Sequence, residues 1–391
     1  MIAIILSPIY LALNAYILVR LLRYLSAVHE RLKHPVIWTI TMVVYIFFML
    51  TPLTGFLIKK EPWHHALKSM SNYWLGVLAV GLITLIFFDI GRFILNKTKW
   101  KDDHPNEKRF KICGTCAILI VVILSTYGFL HSKHIVVNHQ TVMVEKELNR
   151  NLKIALVADT HLGYSIGEYH MKQMVEKINE QNPDIVIFAG DIFDNEYGAI
   201  KNPEKVAKTL AGLKSKYGSY ACWGNHDINE LLLAGFTIKN DEYSDDANFR
   251  EFLKKSKINL LEDKSTLIDN SFYLVGRKDP FMSKKLGENR KDIRILTKTL
   301  DKTKPIFVID HEPLELKKIA RAGVDLDLSG HTHNGQIFPG NIIMKFIWDN
   351  PNGIKKVESM TSIVTSGAGI WGPAMRIGSN SEIMIIDVKS K

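Results

Sequence analysis

The distribution of apolar residues divides the chain into two parts of different character. Four long apolar runs follow one another within the first third of the 391 residues, and each reaches or approaches the ~20 residues that a helix needs to cross a bilayer. These runs cover residues 2–22, 36–58, 73–95 and 113–130. They predict a transmembrane region over residues 1–131 and a folded domain over residues 132–391. The alternative, buried core helices of a soluble domain, is disfavoured by four such runs in succession.

The first apolar run has no basic leading segment and no small-residue cleavage site, so we expect a retained helix rather than a signal peptide. Within the third run, Asp89 is the one acidic residue at depth, and Arg92 three residues later is its expected partner. Intramembrane carboxylates are costly and need such a partner.

The loops between the apolar runs differ in basic residues, which predicts orientation. The first loop carries four Lys or Arg residues, the second three and the third seven. Because positive loops stay in the cytoplasm, both termini and the C-terminal domain are expected outside it. This predicts an integral protein of a bacterial cytoplasmic membrane with an extracytoplasmic domain. The net charge of +10 is then largely a matter of membrane orientation, and we expect no nucleic-acid partner.

The C-terminal part alternates short buried strands with helices. Strands are expected over residues 134–144, 154–158, 185–189, 220–223, 306–309, 325–328, 363–366 and 383–387, with helices over 168–182, from 203 onward and over 314–322. Repeated strand–helix–strand order predicts an α/β fold with a largely parallel core. Only Cys222 lies in this part, so no disulfide within the domain is possible.

Polar clusters follow directly after five of the predicted strands, where ligands of α/β folds gather. They are Asp159-Thr160-His161, Gly190-Asp191, Gly224-Asn225-His226-Asp227, Asp310-His311-Glu312-Pro313 and Gly330-His331-Thr332-His333. Each alone could be a turn, a helix cap or a pair of surface histidines. Together they supply oxygen and imidazole nitrogen without sulfur, which suits Mn²⁺, Fe or Zn²⁺ rather than a Cys-rich structural site.

Hydrolysis of a phosphate ester would explain such a donor set. The reaction needs neutralised phosphoryl charge, hydroxide near neutral pH and in-line placement of the leaving group. Two metal ions ~4 Å apart and bridged by a carboxylate supply all three.

The five clusters, in this order, resemble the calcineurin-like metallophosphoesterase superfamily over about residues 150 to 390. The resemblance implies a four-layer α-β-β-α sandwich, here preceded by a four-helix transmembrane region. It implies one metal ion at Asp159, His161, Asp191 and His333 and a second at Asp191, Asn225, His311 and His331, with Asp191 as the bridge. His226 would protonate the leaving group or stabilise the transition state, and Asp227 would orient His226. Mn²⁺ is the first expectation for both ions, with Fe or Zn²⁺ as alternatives.

The motifs around residues 158–163, 310–313 and 330–336 are similar to those of membrane-associated bacterial members. Some such relatives cleave the pyrophosphate of UDP-diacylglucosamine, and others have been linked to cell-wall or phospholipid substrates. The lipid A step needs a cytoplasmic site, which the predicted orientation argues against. We expect a phosphohydrolase acting on a phosphorylated lipid or envelope substrate. The alternatives are a tethered phosphodiesterase with a soluble substrate, and a non-catalytic receptor or accessory protein. The sequence leaves the oligomeric state open.

Substrate contacts leave weaker signals. Arg277 follows a predicted strand and Arg376 lies in a Gly-rich run, so either could hold a second phosphate, or both could be solvated surface charges. Residues 338–348 are apolar and aromatic and follow the last cluster. They could form a lip facing the bilayer or a loop packed on the domain.

Overall fold

The computed structural model describes residues 2–97, 107–230, 232–233, 236–237 and 247–390. The chain forms two compact units. The first comprises Met1–Leu130, Leu232–Lys239 and Gly372–Met375, and the second comprises His131–Leu231, Asn240–Trp371 and Arg376–Lys391. Two short segments of the C-terminal part thus group with the first unit. The predicted domain limits, 1–131 and 132–391, stay a prediction.

The first unit is built on four long helices. They are α1 (Ile2–Val28), α2 (Pro35–Leu57), α3 (Trp63–Leu95) and α4 (Glu107–Ser132). All four are long and apolar enough to cross a membrane. Helix α2 begins where the His34 side chain accepts the Val36 amide and Pro35 occupies the first turn, a position that suits the fixed φ of proline. Helix α3 starts ten residues earlier than the apolar run because its first turns contain no Gly or Pro.

An ion pair joins α1 to α3 inside the first unit. The Asp89 carboxylate accepts from the Arg20 guanidinium and from the Tyr16 hydroxyl at 2.5 Å. The prediction that Arg92 is the partner of Asp89 is therefore wrong, because the carboxylate faces the neighbouring helix rather than the next turn of its own helix. A pair between two helices satisfies a charge that lipid cannot solvate.

The second unit contains most of the strands and seven shorter helices. Its strands in chain order, together with the two-residue pair β5–β6 of the first unit, are β1 (Ile135–Val144), β2 (Leu152–Val157), β3 (Ile185–Ala189), β4 (Ser219–Cys222), β5 (Leu232–Leu233), β6 (Phe236–Thr237), β7 (Ile258–Leu260), β8 (Lys264–Ile268), β9 (Phe272–Gly276), β10 (Ile306–Ile309), β11 (Leu326–Ser329), β12 (Gly353–Val357), β13 (Met360–Val364) and β14 (Ser381–Ser390). Its helices are α5 (Glu168–Glu180), α6 (Pro203–Leu210), α7 (Ala247–Lys255), α8 (Pro280–Lys285), α9 (Ile293–Thr297), α10 (Leu316–Arg321) and α11 (Gly340–Ile347).

Two six-stranded sheets form the centre of the second unit. Their strand orders are β1-β14-β2-β3-β4-β7 and β12-β13-β11-β10-β9-β8. Strands β2, β3, β4 and β7 run parallel in the first sheet, as do β9, β10, β11 and β13 in the second. Apolar side chains of both sheets, such as Ile187 and Phe307, share one buried core. The two sheets therefore pack face to face.

Helices cover the outer faces of this sandwich. Val275, Ile306 and Val308, on the face of the second sheet opposite the shared core, pack with residues of α9 and α10. Amphipathic α5 buries Met171, Met174 and other residues of one stripe. The layers are thus helix, sheet, sheet and helix, which confirms the predicted four-layer α/β fold with four preceding apolar helices.

Residues 338–348 were predicted to form either a lip facing the bilayer or a loop packed on the domain. In the structure this segment is not a packed loop. It contains helix α11, and no residue of that helix is buried. The predicted strands and helices elsewhere in this unit agree with the observed ones to within a few residues, whereas β7, β8, β12 and helices α7, α8 and α9 were not anticipated.

Candidate metal centre

The predicted ligands stand on the loops that leave five parallel strands. Asp159 and His161 follow β2, and Asp191 follows β3. Asn225 follows β4, and the loop after β10 begins with Asp310 and His311. The loop after β11 carries His331 and His333. The carboxyl ends of parallel strands lie at one edge of each sheet. Strands β2, β3 and β4 belong to the first sheet and β10 and β11 to the second, and the face-to-face packing of the two sheets brings these loops together.

One cluster consists of Asp159, His161 and His333, whose ligand atoms all lie within 4.8 Å of one another. The Nε2 atoms of His161 and His333 are 3.1 Å apart, and His333 Nε2 lies 3.5 Å from an Asp159 oxygen. All three side chains are buried. A buried pair of facing imidazole nitrogens beside a carboxylate is a donor set that suits a divalent cation.

A second cluster consists of Asp191, His311 and His331, again with ligand atoms within 4.8 Å. Nε2 of His311 lies 3.0 Å from Asp191 Oδ2 and 3.1 Å from His331 Nδ1. The amide oxygen of Asn225 lies 3.1 Å from His311 Nε2 and 2.9 Å from His331 Nδ1. Asn225 thus supplies a fourth donor atom to this cluster.

Asp191 lies between the two clusters. Its Oδ2 is 3.7 Å from His161 Nε2 of the first cluster and 3.0 Å from His311 Nε2 of the second. Its other oxygen, Oδ1, accepts the backbone amide of His226 at 2.7 Å. This hydrogen bond holds the carboxylate in place and leaves Oδ2 facing the donor atoms of both clusters.

The ring of His311 is oriented for ligation. Its Nδ1 lies 2.8 Å from the Ala189 carbonyl oxygen, to which it can only donate. In the neutral ring Nε2 then carries a lone pair, which points into the second cluster. A histidine that donates its other N–H to a carbonyl is the usual arrangement of a metal ligand.

Local electrostatics differ between the carboxylates. Burial raises the pKa of Asp159 to about 6. For Asp191, burial also disfavours the charge, but the neighbouring His311 and His226 more than offset it, so the pKa lies well below its usual range. Burial lowers the pKa of His331 to about 3. A neutral imidazole is the form that binds a cation.

The backbone at the site is strained. Five of the predicted ligands have a φ between 44° and 71°, namely Asp159, His161, Asp191, His331 and His333. Non-glycine residues in this region cost on the order of 1–3 kcal/mol each and cluster at functional sites. The loops accept this strain because it turns the side chains toward one another.

Comparison with known proteins agrees with this geometry. Residues 152–335 match the family model described as calcineurin-like phosphoesterase. An uncharacterized metallophosphoesterase of Aquifex aeolicus is 30% identical over 70% of this chain and 99% of its own length. The chain belongs to the calcineurin-like metallophosphoesterase family.

Longer relatives extend the likeness into the membrane region. An uncharacterized metallophosphoesterase of Campylobacter jejuni is 25% identical over 97% of this chain and 95% of its own length. A zebrafish (Danio rerio) transmembrane protein with metallophosphoesterase domain is 28% identical over 85% of this chain and 76% of its own length. These relatives and the four apolar helices indicate an integral membrane metallophosphoesterase.

The imidazole of His226 stands beside the metallophosphoesterase centre rather than within either cluster. Its ring centroid lies 5.2 Å from that of His161 and 5.5 Å from that of the Trp371 ring. Nδ1 of His226 lies 2.5 Å from the amide oxygen of Asn195. Because that oxygen only accepts, Nδ1 carries a proton and Nε2 is left to exchange one.

Asp227 was expected to orient His226, and the structure pairs it differently. Its oxygens accept the backbone amides of Phe193 and Gly224, both at 2.8 Å. Burial raises the pKa of Asp227 to about 8. The Asp227 carboxyl therefore joins the loops after β3 and β4. The contact with His226 that was expected of Asp227 is made by Asn195.

The two expected substrate contacts are both buried. Arg277 is 1% exposed, and it donates to Asp310 at 2.7 Å and to Glu315 at 3.1 Å. Arg376 is 0% exposed, and it donates to the carbonyl oxygens of Ser366, Gly367, Gly369 and His333. Both guanidinium groups thus donate to protein acceptors, and their contact with a substrate phosphate stays a prediction. They hold the loops that carry His311 and His333.

Asp194 was not anticipated. Its carboxylate lies 3.6 Å from Nδ1 of His161, on the side of the ring away from the first cluster. The sequence signal would have been an acidic residue three positions after Asp191 on the same loop. A carboxylate behind a ligand histidine raises the basicity of the ligand nitrogen.

Proposed function

We propose that this protein is a binuclear metal-dependent phosphohydrolase that cleaves a phosphoester or pyrophosphate bond of a membrane-associated or cell-envelope substrate. The observation that carries the proposal is the pair of donor clusters, in which Asp191 Oδ2 lies within 3.7 Å of donor atoms of both. Single-metal or purely structural sites do not need a carboxylate shared in this way.

The geometry of the two clusters supports one assignment of the metal ligands. Asp159, His161, Asp191 and His333 would hold one ion, and Asp191, Asn225, His311 and His331 would hold the other. When bound, two divalent ions neutralise phosphoryl charge and lower the pKa of water. Mn²⁺ suits the oxygen and imidazole donors, and Fe or Zn²⁺ are the competing choices.

In the proposed reaction, water oxygen adds to phosphorus and releases one proton to solvent, the ester or anhydride P–O bond breaks, and His226 afterwards regains a proton from solvent. Nε2 of His226 gives a proton to the departing oxygen, while the Asn195 amide holds the Nδ1 proton and so fixes the ring orientation. General acids of this kind typically contribute 10²–10⁴-fold. The Trp371 ring, whose centroid lies 5.5 Å from that of His226, packs beside this imidazole.

A non-catalytic receptor or accessory protein is the rival function. Binding modules derived from enzymes lose ligands once catalysis no longer maintains them, and each of the seven predicted ligand positions here carries a metal-binding residue. Six of them fall into the two clusters, and the seventh, Asn225, contacts the second. The complete donor set favours an enzyme.

The test is hydrolysis of bis(4-nitrophenyl) phosphate by the purified full chain after chelation and return of Mn²⁺, Fe²⁺ or Zn²⁺ one at a time. We expect turnover with at least one ion and none with chelator. Stoichiometric metal uptake without turnover of this ester or of a pyrophosphate would support the binding module instead.

A further inference from the structure

Helix α11 is exposed although it is apolar. Phe346 is 86% exposed and Ile347 61%, while Ile343 and Ile342 are 49% and 45% exposed. Single exposed apolar residues are ordinary, but four on one eight-residue helix form a contiguous patch. Such a patch on an otherwise well-packed unit indicates a surface that binds something apolar.

Both ends of α11 are tied to the metal centre. Before the helix, Gly335 has a φ of +69°, and a Cβ there would overlap the backbone of Gly340, so the ligand loop and the start of α11 are in close contact. After the helix, the Trp348 ring packs edge-on against His331, with centroids 5.0 Å apart. Whatever α11 binds is therefore held beside the site where phosphate would be hydrolysed.

We propose that α11 inserts into the interfacial layer of a phospholipid bilayer and so presents the metal centre to phosphate groups at the lipid surface. The insertion of α11 into the bilayer is argued from α11 alone. The presentation of the metal centre to lipid phosphates rests on the proposed function. It names the substrate class as a phosphoester or anhydride carried by a membrane lipid.

Other features of the chain favour a bilayer as the apolar partner of α11. Four helices are apolar enough to cross a membrane, and only Lys133 and His134 separate α4 from β1. Two residues span at most ~7 Å, so β1 begins within a short tether of the last membrane helix.

Charge and aromatic placement also fit a lipid surface. Lys345 lies within α11, and the Lys355 ammonium lies against the Asp349 carbonyl just beyond the helix. Basic residues beside an apolar helical face are typical of helices that lie in the membrane interface. Trp348, at the end of α11, is of the residue type enriched at that depth.

A second copy of the chain fits less well. A stable protein interface buries ~800 Å² on each partner, which an isolated eight-residue helix does not offer. A bilayer needs no shape complementarity beyond an apolar face with a basic flank.

Insertion can be measured independently of activity. The full chain carrying Phe346→Cys, with Cys113 and Cys116 changed to Ser, is labelled with an environment-sensitive fluorophore and reconstituted into phosphatidylcholine–phosphatidylglycerol vesicles. Cys222 is buried and stays. The matched control is Ile295→Cys on α9, where the native side chain is 63% exposed. We expect brominated lipids to quench the label at 346 and not at 295. Equal quenching, or energy transfer between copies without lipid quenching, would overturn the proposal.

The substrate class is tested with one leaving group in two settings. Bis(4-nitrophenyl) phosphate is the soluble ester, and phosphatidyl-4-nitrophenol in the same vesicles is the lipid ester. The double variant Phe346→Gln/Ile347→Gln should lose about tenfold on the lipid ester, since each 1.4 kcal/mol of lost interfacial contact is tenfold, and keep its rate on the soluble ester. Leu267→Gln/Ile295→Gln, at positions 40% and 63% exposed, is the control.

The outcomes separate the two claims. Equal losses on both esters, or none on either, would overturn the assignment of a lipid substrate to α11. Failure of the wild-type chain on both esters would reject the proposed function, and the quenching experiment would still decide whether α11 enters the bilayer.

Discussion

At the residue scale, His226 and Asp191 separate chemistry from metal binding. His226→Ala should lower kcat by 10²–10⁴-fold, because the variant lacks the imidazole that we propose protonates the leaving oxygen. Metal content should not change, since His226 belongs to neither cluster. The loss should be larger for a methyl than for a 4-nitrophenyl ester, because the nitrophenolate departs without a proton. Equal losses on both leaving groups would limit His226 to positioning the phosphate.

Gly224 should be indispensable for a steric reason. A Cβ at this position would overlap the Asp191 carboxylate and backbone amide. Gly224→Ala should therefore displace the shared carboxylate and lower metal content and turnover together. Gly198→Ala is the matched control, because a Cβ at Gly198 meets nothing within 4 Å. Normal metal content in Gly224→Ala would mean that the loops relax around the methyl group.

The residues of the two clusters could be predicted from the sequence because each follows a buried strand closely, so that chain order alone places them at the carboxyl ends of the strands. It missed the residues that act through contacts remote in sequence. Asn195 lies 31 positions from His226, and the acceptors of Arg376 are backbone carbonyl groups, which leave no trace in residue type. A buried arginine and a surface arginine look alike in a Gly-rich segment.

At the scale of single elements, strand β11 contains a buried acid. Asp327 is 0% exposed, and one of its oxygens accepts hydroxyl groups of Ser329 and Ser362 at 3.2 and 3.0 Å. Burial raises its pKa to about 7. Because the folded-state pKa lies above the unfolded one of ~3.9, the carboxyl lowers stability progressively as pH rises from about 4 to 7.

Asp327→Asn removes this titration while keeping the side-chain shape. The gain in unfolding free energy of the second unit, relative to wild type, should be on the order of 2 kcal/mol greater at pH 8 than at pH 5. Thermal unfolding of the full chain in detergent at the two pH values measures it. A pH-independent difference would show that Asp327 titrates normally.

We expect the Arg20–Asp89 pair to stabilise the packing of helices α1 and α3. Removing one partner, as in Arg20→Leu, should destabilise the membrane unit because the other charge is left without its counter-ion. The double variant Arg20→Leu/Asp89→Leu should recover much of that loss. Unfolding in bicelles measures both, and additive losses would contradict a direct pair. The sequence could predict that Asp89 needs a partner but not that α1 supplies it, since helix packing is not local.

At the scale of the whole molecule, the charges of the loops predict that both termini lie outside the cytoplasm. A phosphatase reporter fused after Lys391 should therefore be active, and a reporter that works only in the cytoplasm should be silent. The opposite pattern would make a cytoplasmic lipid precursor the leading substrate.

The division into a membrane part and an α/β part was predictable because bilayer spans and short buried strands have different lengths and periods. The exposed helix α11 was not, because its apolar residues read equally well as a loop packed on the domain. Only the structure shows that none of its residues is buried.

The central claim is that the two clusters on either side of Asp191 hold two catalytic metal ions. Elemental analysis of the purified full chain, after chelation, Mn²⁺ reconstitution and removal of free metal, tests it most directly. We predict about two ions per chain for wild type and for His226→Ala, and less than one for Asp191→Asn, whose amide cannot hold two cations together. Less than one ion per wild-type chain, or two ions in Asp191→Asn, would contradict the account.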